Sequence, residues 1–171
     1  MPVTFPTRLR ALTLWPEWGW AVHHLDKRVE NRTWALPVGE WFALHAGKHI
    51  GGQGPGSEQS GLAAMREMGR RAGWTLIDDL WSFSFAVDAA GRGFNLKAAA
   101  VQRSAILGLF RVTRAEPPHR GDLTGWRVPD QVGNVFEYVP LRGSIPCRGA
   151  QGLWTVPADV AERVRAEVAC G

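Results

Sequence analysis

Apolar residues fall in short runs punctuated by Gly and Pro, and few runs are long enough for a helix of several turns. Residues 9–15 (LRALTLW) predict a first strand, with Leu12 and Leu14 alternating. Pro16 suits the first turn of a helix, where its missing N–H would have no partner anyway. Trp20, Val22 and Leu25 then predict a short helix over 16–25. Residues 28–34 (RVENRTW) predict a second strand. Pro37 and Gly39 turn the chain into a third over 40–46 (EWFALHA), with Trp41, Phe42 and Leu44 apolar.

Glycines 51, 52, 54, 56 and 61 predict a loop; it lacks the GxxxxGK[ST] pattern of a phosphate-binding loop. Leu62, Met65 and Ala72 recur at helical spacing over 58–72, with Arg66, Arg70 and Arg71 on other faces. Residues 75–82 (TLIDDLWS) predict another short helix, and 88–97, with Gly91, Gly93 and Asn95, a turn region. The strongest strand signal is 104–115 (SAILGLFRVTRA). A polar loop with Pro117, Pro118, Gly121, Gly125 and Pro129 leads to a strand over 134–141 (NVFEYVPL) and a last one over 151–156 (QGLWTV). Pro157 opens a C-terminal helix whose Val160, Val164 and Val168 fall at i, i+4, i+8.

Four to six strands, no βαβα rhythm and no internal repeat predict an α+β protein built on a small mixed β-barrel with peripheral helices. The barrel segments are about 9–48 and 104–157. A helix-and-loop insertion occupies about 49–103, and the C-terminal helix about 158–169. A length of 171 residues with 45% hydrophobic content fits one domain spanning 1–171.

Charge adds a hint about partners. There are 20 Lys and Arg against 16 Asp and Glu, with a pI near 9.7, which is compatible with a polyanion. Only three of the basic residues are Lys (27, 48 and 97), so each stands out against an Arg-rich background. Cys147 and Cys170 form no CxxC pair and no disulfide framework, and a cytoplasmic location is expected. The N-terminus lacks a signal-peptide pattern and no apolar run approaches membrane-spanning length, so no membrane association is expected. Nine Trp are spread along the chain; a few lining a cleft could each stack on a base for about 1–3 kcal/mol.

The candidate chemistry concentrates in Lys27-Arg28-Val29-Glu30-Asn31-Arg32. Residues two apart on a strand share a face, so Arg28, Glu30 and Arg32 would project together, with Val29, Asn31 and Thr33 opposite. Lys27 lies at the strand's mouth. An acid among bases also describes a salt-bridged strand face, and the segment alone favours that reading. His45 and His49 have i, i+4 spacing, but Ala46-Gly47 break the run and no acid completes a ligand set, so no metal is expected. The His23-His24 doublet sits on the short helix, with one ring facing solvent. Thr33, Ser104 and Thr155 lie near strand ends, without neighbours that mark a nucleophile.

Several motifs in order resemble the ASCH domain family. They are Leu12-Thr13-Leu14-Trp15-Pro16, then Lys27-x-x-Glu30-Asn31-Arg32-Thr33-Trp34, then Leu44-His45-Ala46-Gly47. Ile106-Leu107-Gly108-Leu109 and Arg148-Gly149-Ala150-Gln151-Gly152-Leu153-Trp154 resemble the family's central and closing strands. The likeness covers roughly 11–48 and 104–156. It implies a PUA-like barrel with a cleft across one face and a role in RNA-related processes. Carried over position by position, the cleft residues are Trp15, Lys27, Glu30, Arg32, His45, Gly152 and Trp154. The expected ligand is RNA or a modified nucleobase or nucleoside, bound without a cofactor by a monomer or weak dimer.

The resemblance also raises two enzymatic alternatives through the same cleft. Some similar proteins hydrolyse the amide of acetylated cytidine with a Lys, a Thr three residues later and a distant Glu. Here the Thr position is Glu30, and a carboxylate does not replace that hydroxyl nucleophile. Others are ribonucleases, for which Glu30 as general base and Lys27 or Arg32 as charge stabiliser would be the catalytic pair. A protein-partner accessory domain, using the C-terminal helix or the 49–103 insertion, is a third reading.

Overall fold

Trp41-Phe42-Ala43-Leu44-His45-Ala46 has no exposed position, and this fully buried strand organises the fold. A computed structural model describes residues 5–24, 26–49, 75–79, 82–87, 93–94, 102–119 and 126–169. In chain order the elements are β1 (Arg10–Leu14), α1 (Pro16–His24), β2 (Val29–Arg32), β3 (Trp41–Ala46), β4 (Thr75–Asp79), β5 (Ser82–Val87) and β6 (Gly93–Phe94). They continue with β7 (Ala105–Glu116), β8 (Val132–Pro146), β9 (Leu153–Thr155) and α2 (Ala158–Ala169). Six strands form one sheet of order β2-β8-β7-β3-β1-β9. β1 and β3 run parallel, in register from Arg10 opposite Phe42 to Leu14 opposite Ala46, and every other neighbouring pair is antiparallel.

Both faces of this sheet are covered, which explains why its central strands read as unbroken apolar runs. Leu9, Ala11, Trp41, Ala43 and Leu109 face one cluster, closed by Val160, Ala161 and Val164 of α2. Leu12, Leu14, Phe42, Leu44 and Phe110 face the other, with Val22 of α1. The alternation along β1 and β3 is therefore between two cores, not between core and water.

The sheet curls into a half-barrel. Arg32 ends the edge strand β2, and three strands separate β2 from β1 in the sheet order. Yet an Arg32 Nη donates to the Thr13 carbonyl at 3.1 Å. Register shifts at Leu44/His45, Ile106/Gly108 and Val112/Arg114 supply local bends of the kind that tighten sheet twist. The sheet stays open, with β2 and β9 as its edges, where a barrel was expected.

Residues 75–82 do not form the expected helix: Thr75–Asp79 is a strand paired antiparallel with Ser82–Val87. The signal for it lies in the partner, where Phe83, Phe85 and Val87 alternate with Ser82, Ser84 and Ala86 at period two. Gly93–Phe94 completes this three-stranded sheet rather than a turn. The expected Gly-rich loop, the 58–72 helix and Cys170 lie outside the described residues. Among the described residues, no helix is long and apolar enough to cross a membrane.

Candidate functional site

The parallel pairing of β1 and β3 brings their C-terminal ends together, and the curl brings β2 to the same place. Lys27 reaches it through the exit from α1. Asp26 takes a left-handed φ of 55° and the Lys27 N–H donates to Ala21 O at 3.3 Å, so the chain turns sharply. That turn leaves Lys27 only 2% exposed, its ammonium 5.7 Å from the centre of the Trp18 ring.

Lys27 Nζ donates to Glu30 Oε2 at 3.0 Å and to the Val29 carbonyl. Glu30, 7% exposed, holds Arg32 with its other oxygen: Nε lies 2.9 Å from Oε1, paired by charge without hydrogen-bond alignment. The three side chains carry a net charge of +1. An ammonium has three donors and a guanidinium five, so Lys27 and Arg32 keep N–H groups beyond these contacts. They line a cavity of about 310 Å³ with Trp15, Trp18 and Val128. That volume lies at the lower end of the range for small-molecule sites.

Two asparagines hold the frame. Asn31 Nδ2 donates to Trp126 O at 2.7 Å, and its Oδ1 accepts from the Val128 N–H at 3.0 Å, which fixes the loop carrying Val128. Asn134 is fully buried; its Oδ1 accepts from the Leu36 N–H at 2.7 Å and its Nδ2 donates to Glu30 O at 3.2 Å. Arg28 departs from the expected shared face. It donates to Val22 O at 2.7 Å and Lys27 O at 3.0 Å, pairs with Asp26, and lies over the Tyr138 ring. Arg28 precedes β2, so the two-residue strand period does not reach it, and the carbonyls ending α1 attract a cation instead.

Trp15 joins Lys27, Glu30 and Arg32 around the cavity. His45, Trp154 and Gly152 do not line it. His45 is 1% exposed, with Nε2 2.9 Å from Cys147 O and Nδ1 3.2 Å from Thr13 Oγ1. Burial lowers its pKa, against a smaller raising effect of the Cys147 carbonyl, so the ring is neutral near pH 7. Because a carbonyl can only accept, Nε2 carries the proton. Trp154 meets His45 edge-on at 5.4 Å, and its indole N–H donates to Thr13 Oγ1 at 3.0 Å. Gly152, at φ 67°, makes the turn into β9.

Thr13 is the residue the sequence did not single out. Its hydroxyl donates to Ala150 O at 2.7 Å and touches His45 and Trp154, while its carbonyl receives Arg32. It therefore ties four strands, β1, β2, β3 and β9, and the 147–150 loop together. Thr33 and Thr155 are exposed, away from the cavity. Burial, with a smaller effect of Asp159, raises the Cys147 thiol pKa, which keeps it protonated. His23 and His24 are both exposed, and His23 Nδ1 lies 3.0 Å from the Tyr138 hydroxyl. Among the described residues, no group of three or more His, Cys, Asp or Glu could hold a metal ion. In comparison with known proteins, the chain matches no family model and no curated protein.

Proposed function

We propose that the protein binds RNA, or a modified nucleobase or nucleoside, in the cleft lined by Lys27, Glu30 and Arg32. The observation that carries this reading is the buried Lys27–Glu30 pair, 3.0 Å apart, which opens with Arg32 onto a cavity walled by Trp15 and Trp18. Taking two charges out of water costs several kcal/mol per ion, and apolar residues of like volume usually serve stability as well or better. A pair retained at such a cost, beside a cavity, supports a role in recognition.

The chemistry suits a flat heterocycle. Indole faces offer stacking, while Lys27 and Arg32 flank an acceptor, Glu30. That order of donor, acceptor and donor complements an edge with acceptor, donor and acceptor, as uracil has. The net positive charge suits a phosphate-bearing ligand. The ordered ASCH-like motifs meet at this end of the half-barrel, which supports a PUA-like reading of the fold. Both Glu30 oxygens are engaged by cations, an arrangement that serves an anchor better than a general base. Binding is therefore favoured over ribonuclease activity, and amide hydrolysis lacks its Thr.

Fluorescence anisotropy with short labelled single-stranded RNAs over a salt series tests the reading. Lys27→Ala and Arg32→Ala should each weaken binding about tenfold or more, equivalent to about 1.4 kcal/mol. Uridine-rich strands should bind ahead of cytidine-rich ones. Unchanged affinity in both variants would overturn the site. Turnover of labelled RNA or acetylated cytidine, abolished by Glu30→Gln, would replace binding by catalysis as the function.

A further inference from the structure

A second cavity, of about 670 Å³, adjoins the first. Thr13, Leu14 and Trp15 line both, so the exposed Trp15 side chain stands between them as a shared wall. This second cavity has an ordered floor. The Gly47 N–H donates to Leu14 O, the Ser104 N–H to Gly47 O and the Cys147 N–H to Ser104 O, at 2.8, 3.0 and 2.9 Å. These bonds stitch four strand ends together. Gly149 closes over the His45 ring so tightly that an added Cβ would lie 2.3 Å from Cε1.

Its charge is one-sided. Lys48, His49 and Arg148 line it, with no Asp or Glu among the described lining residues. Lys48 and Arg148 are exposed, and among the described residues neither has an acidic partner. Arg10, Arg28, Arg32, Arg111, Arg114 and Arg165, by contrast, all pair with acids. Among the described residues, one Lys lines each cavity: Lys27 the first and Lys48 the second.

We propose that this second cavity is a subsite for the phosphate-linked neighbour of the base held beside Lys27. The ligand is then a single-stranded oligonucleotide rather than a free nucleoside. Lys48 and Arg148 supply cations for the flanking phosphodiesters, with no acid among the described residues to compete for them. Trp15 offers a ring between two successive positions along the strand, as stacking platforms for single strands do. The inference rests on the proposed base site and adds direction and length to its ligand.

Isothermal titration with the four common ribonucleosides and the four homotetranucleotides separates the two proposals, using wild type and Lys48→Ala/Arg148→Ala. Both substituted residues are exposed, and thermal melting checks that the variant is folded. The double variant should lose about tenfold in tetranucleotide affinity. Its slope of log affinity against log salt should fall by about 1.4, the value for two single-strand phosphate contacts. Its nucleoside affinity should stay within about twofold of wild type. Unchanged tetranucleotide affinity and slope, with nucleoside binding intact, would overturn the subsite and leave the base site standing. Nucleosides bound by wild type as tightly as tetranucleotides would also overturn it. Absence of binding by wild type to any of the eight would remove the base site, and the subsite with it.

Discussion

Lys27 is a buried charge at the centre of the proposed site. At 2% exposure its charge is tolerable only because Glu30 and a carbonyl surround it. Lys27→Met should therefore destabilise the protein by about 3 kcal/mol, since it strands a buried carboxylate with Arg32 alone. Lys27→Met/Glu30→Gln should recover stability to within about 1 kcal/mol of wild type while RNA affinity stays lost. Chemical denaturation and anisotropy on both variants check this; a double variant that binds like wild type would show the pair to be structural. The strand period placed Glu30 and Arg32 on one face from sequence alone. It misplaced Arg28, which answers to the end of a helix, and gave no sign of Thr13, whose partners lie up to 141 residues away.

At the scale of elements, glycines mark where backbones and rings approach. A Cβ on Gly108 would lie 2.5 Å from the Val139 carbonyl oxygen, which belongs to backbone and cannot swing aside. One on Gly149 would strike the His45 ring, whereas one on Gly143 meets nothing within 4 Å. Gly108→Ala should cost about 1–3 kcal/mol by overpacking, and Gly149→Ala should also destabilise the protein, whereas Gly143→Ala should be neutral or slightly stabilising. Urea titration of the three variants orders them, and equal midpoints would contradict the packing described. Most strand positions were legible because β1, β3 and β7 carry concentrated apolar runs. β8 was underestimated: it extends to Pro146, past the expected end at 141, through exposed Arg142 and Gly143 that carry no apolar signal. β4 was misread because its five residues fit a helix and a strand equally until its Phe-alternating partner is considered.

The order of strands belongs to the whole molecule and was not legible, because parallel pairing of β1 with β3 and the curl that returns β2 to β1 are long-range. The same architecture buries His45 between β1, β7 and the 147–150 loop, and this sets a pH dependence. Burial holds the His45 pKa below its ordinary 6.5, and burial lowers His23 and His24 likewise. The unfolded chain then binds more protons than the folded one below about pH 6.5, so this stability is full above that pH and declines as pH falls below it. Denaturation midpoints from pH 7.5 to 5 should drop for wild type and drop less for His45→Gln. Parallel curves would assign the effect elsewhere.

In the proposed binding mode, a nucleic acid strand sits at the end of β1, against Trp15, Trp18 and Lys27. Photocrosslinking with a short RNA carrying 4-thiouridine, followed by peptide mapping, addresses it directly. Crosslinks should fall within residues 13–18 and 26–32 and be lost with Arg32→Ala. Crosslinks confined to α2 or to the outer strands, unchanged by that substitution, would overturn the proposed binding site.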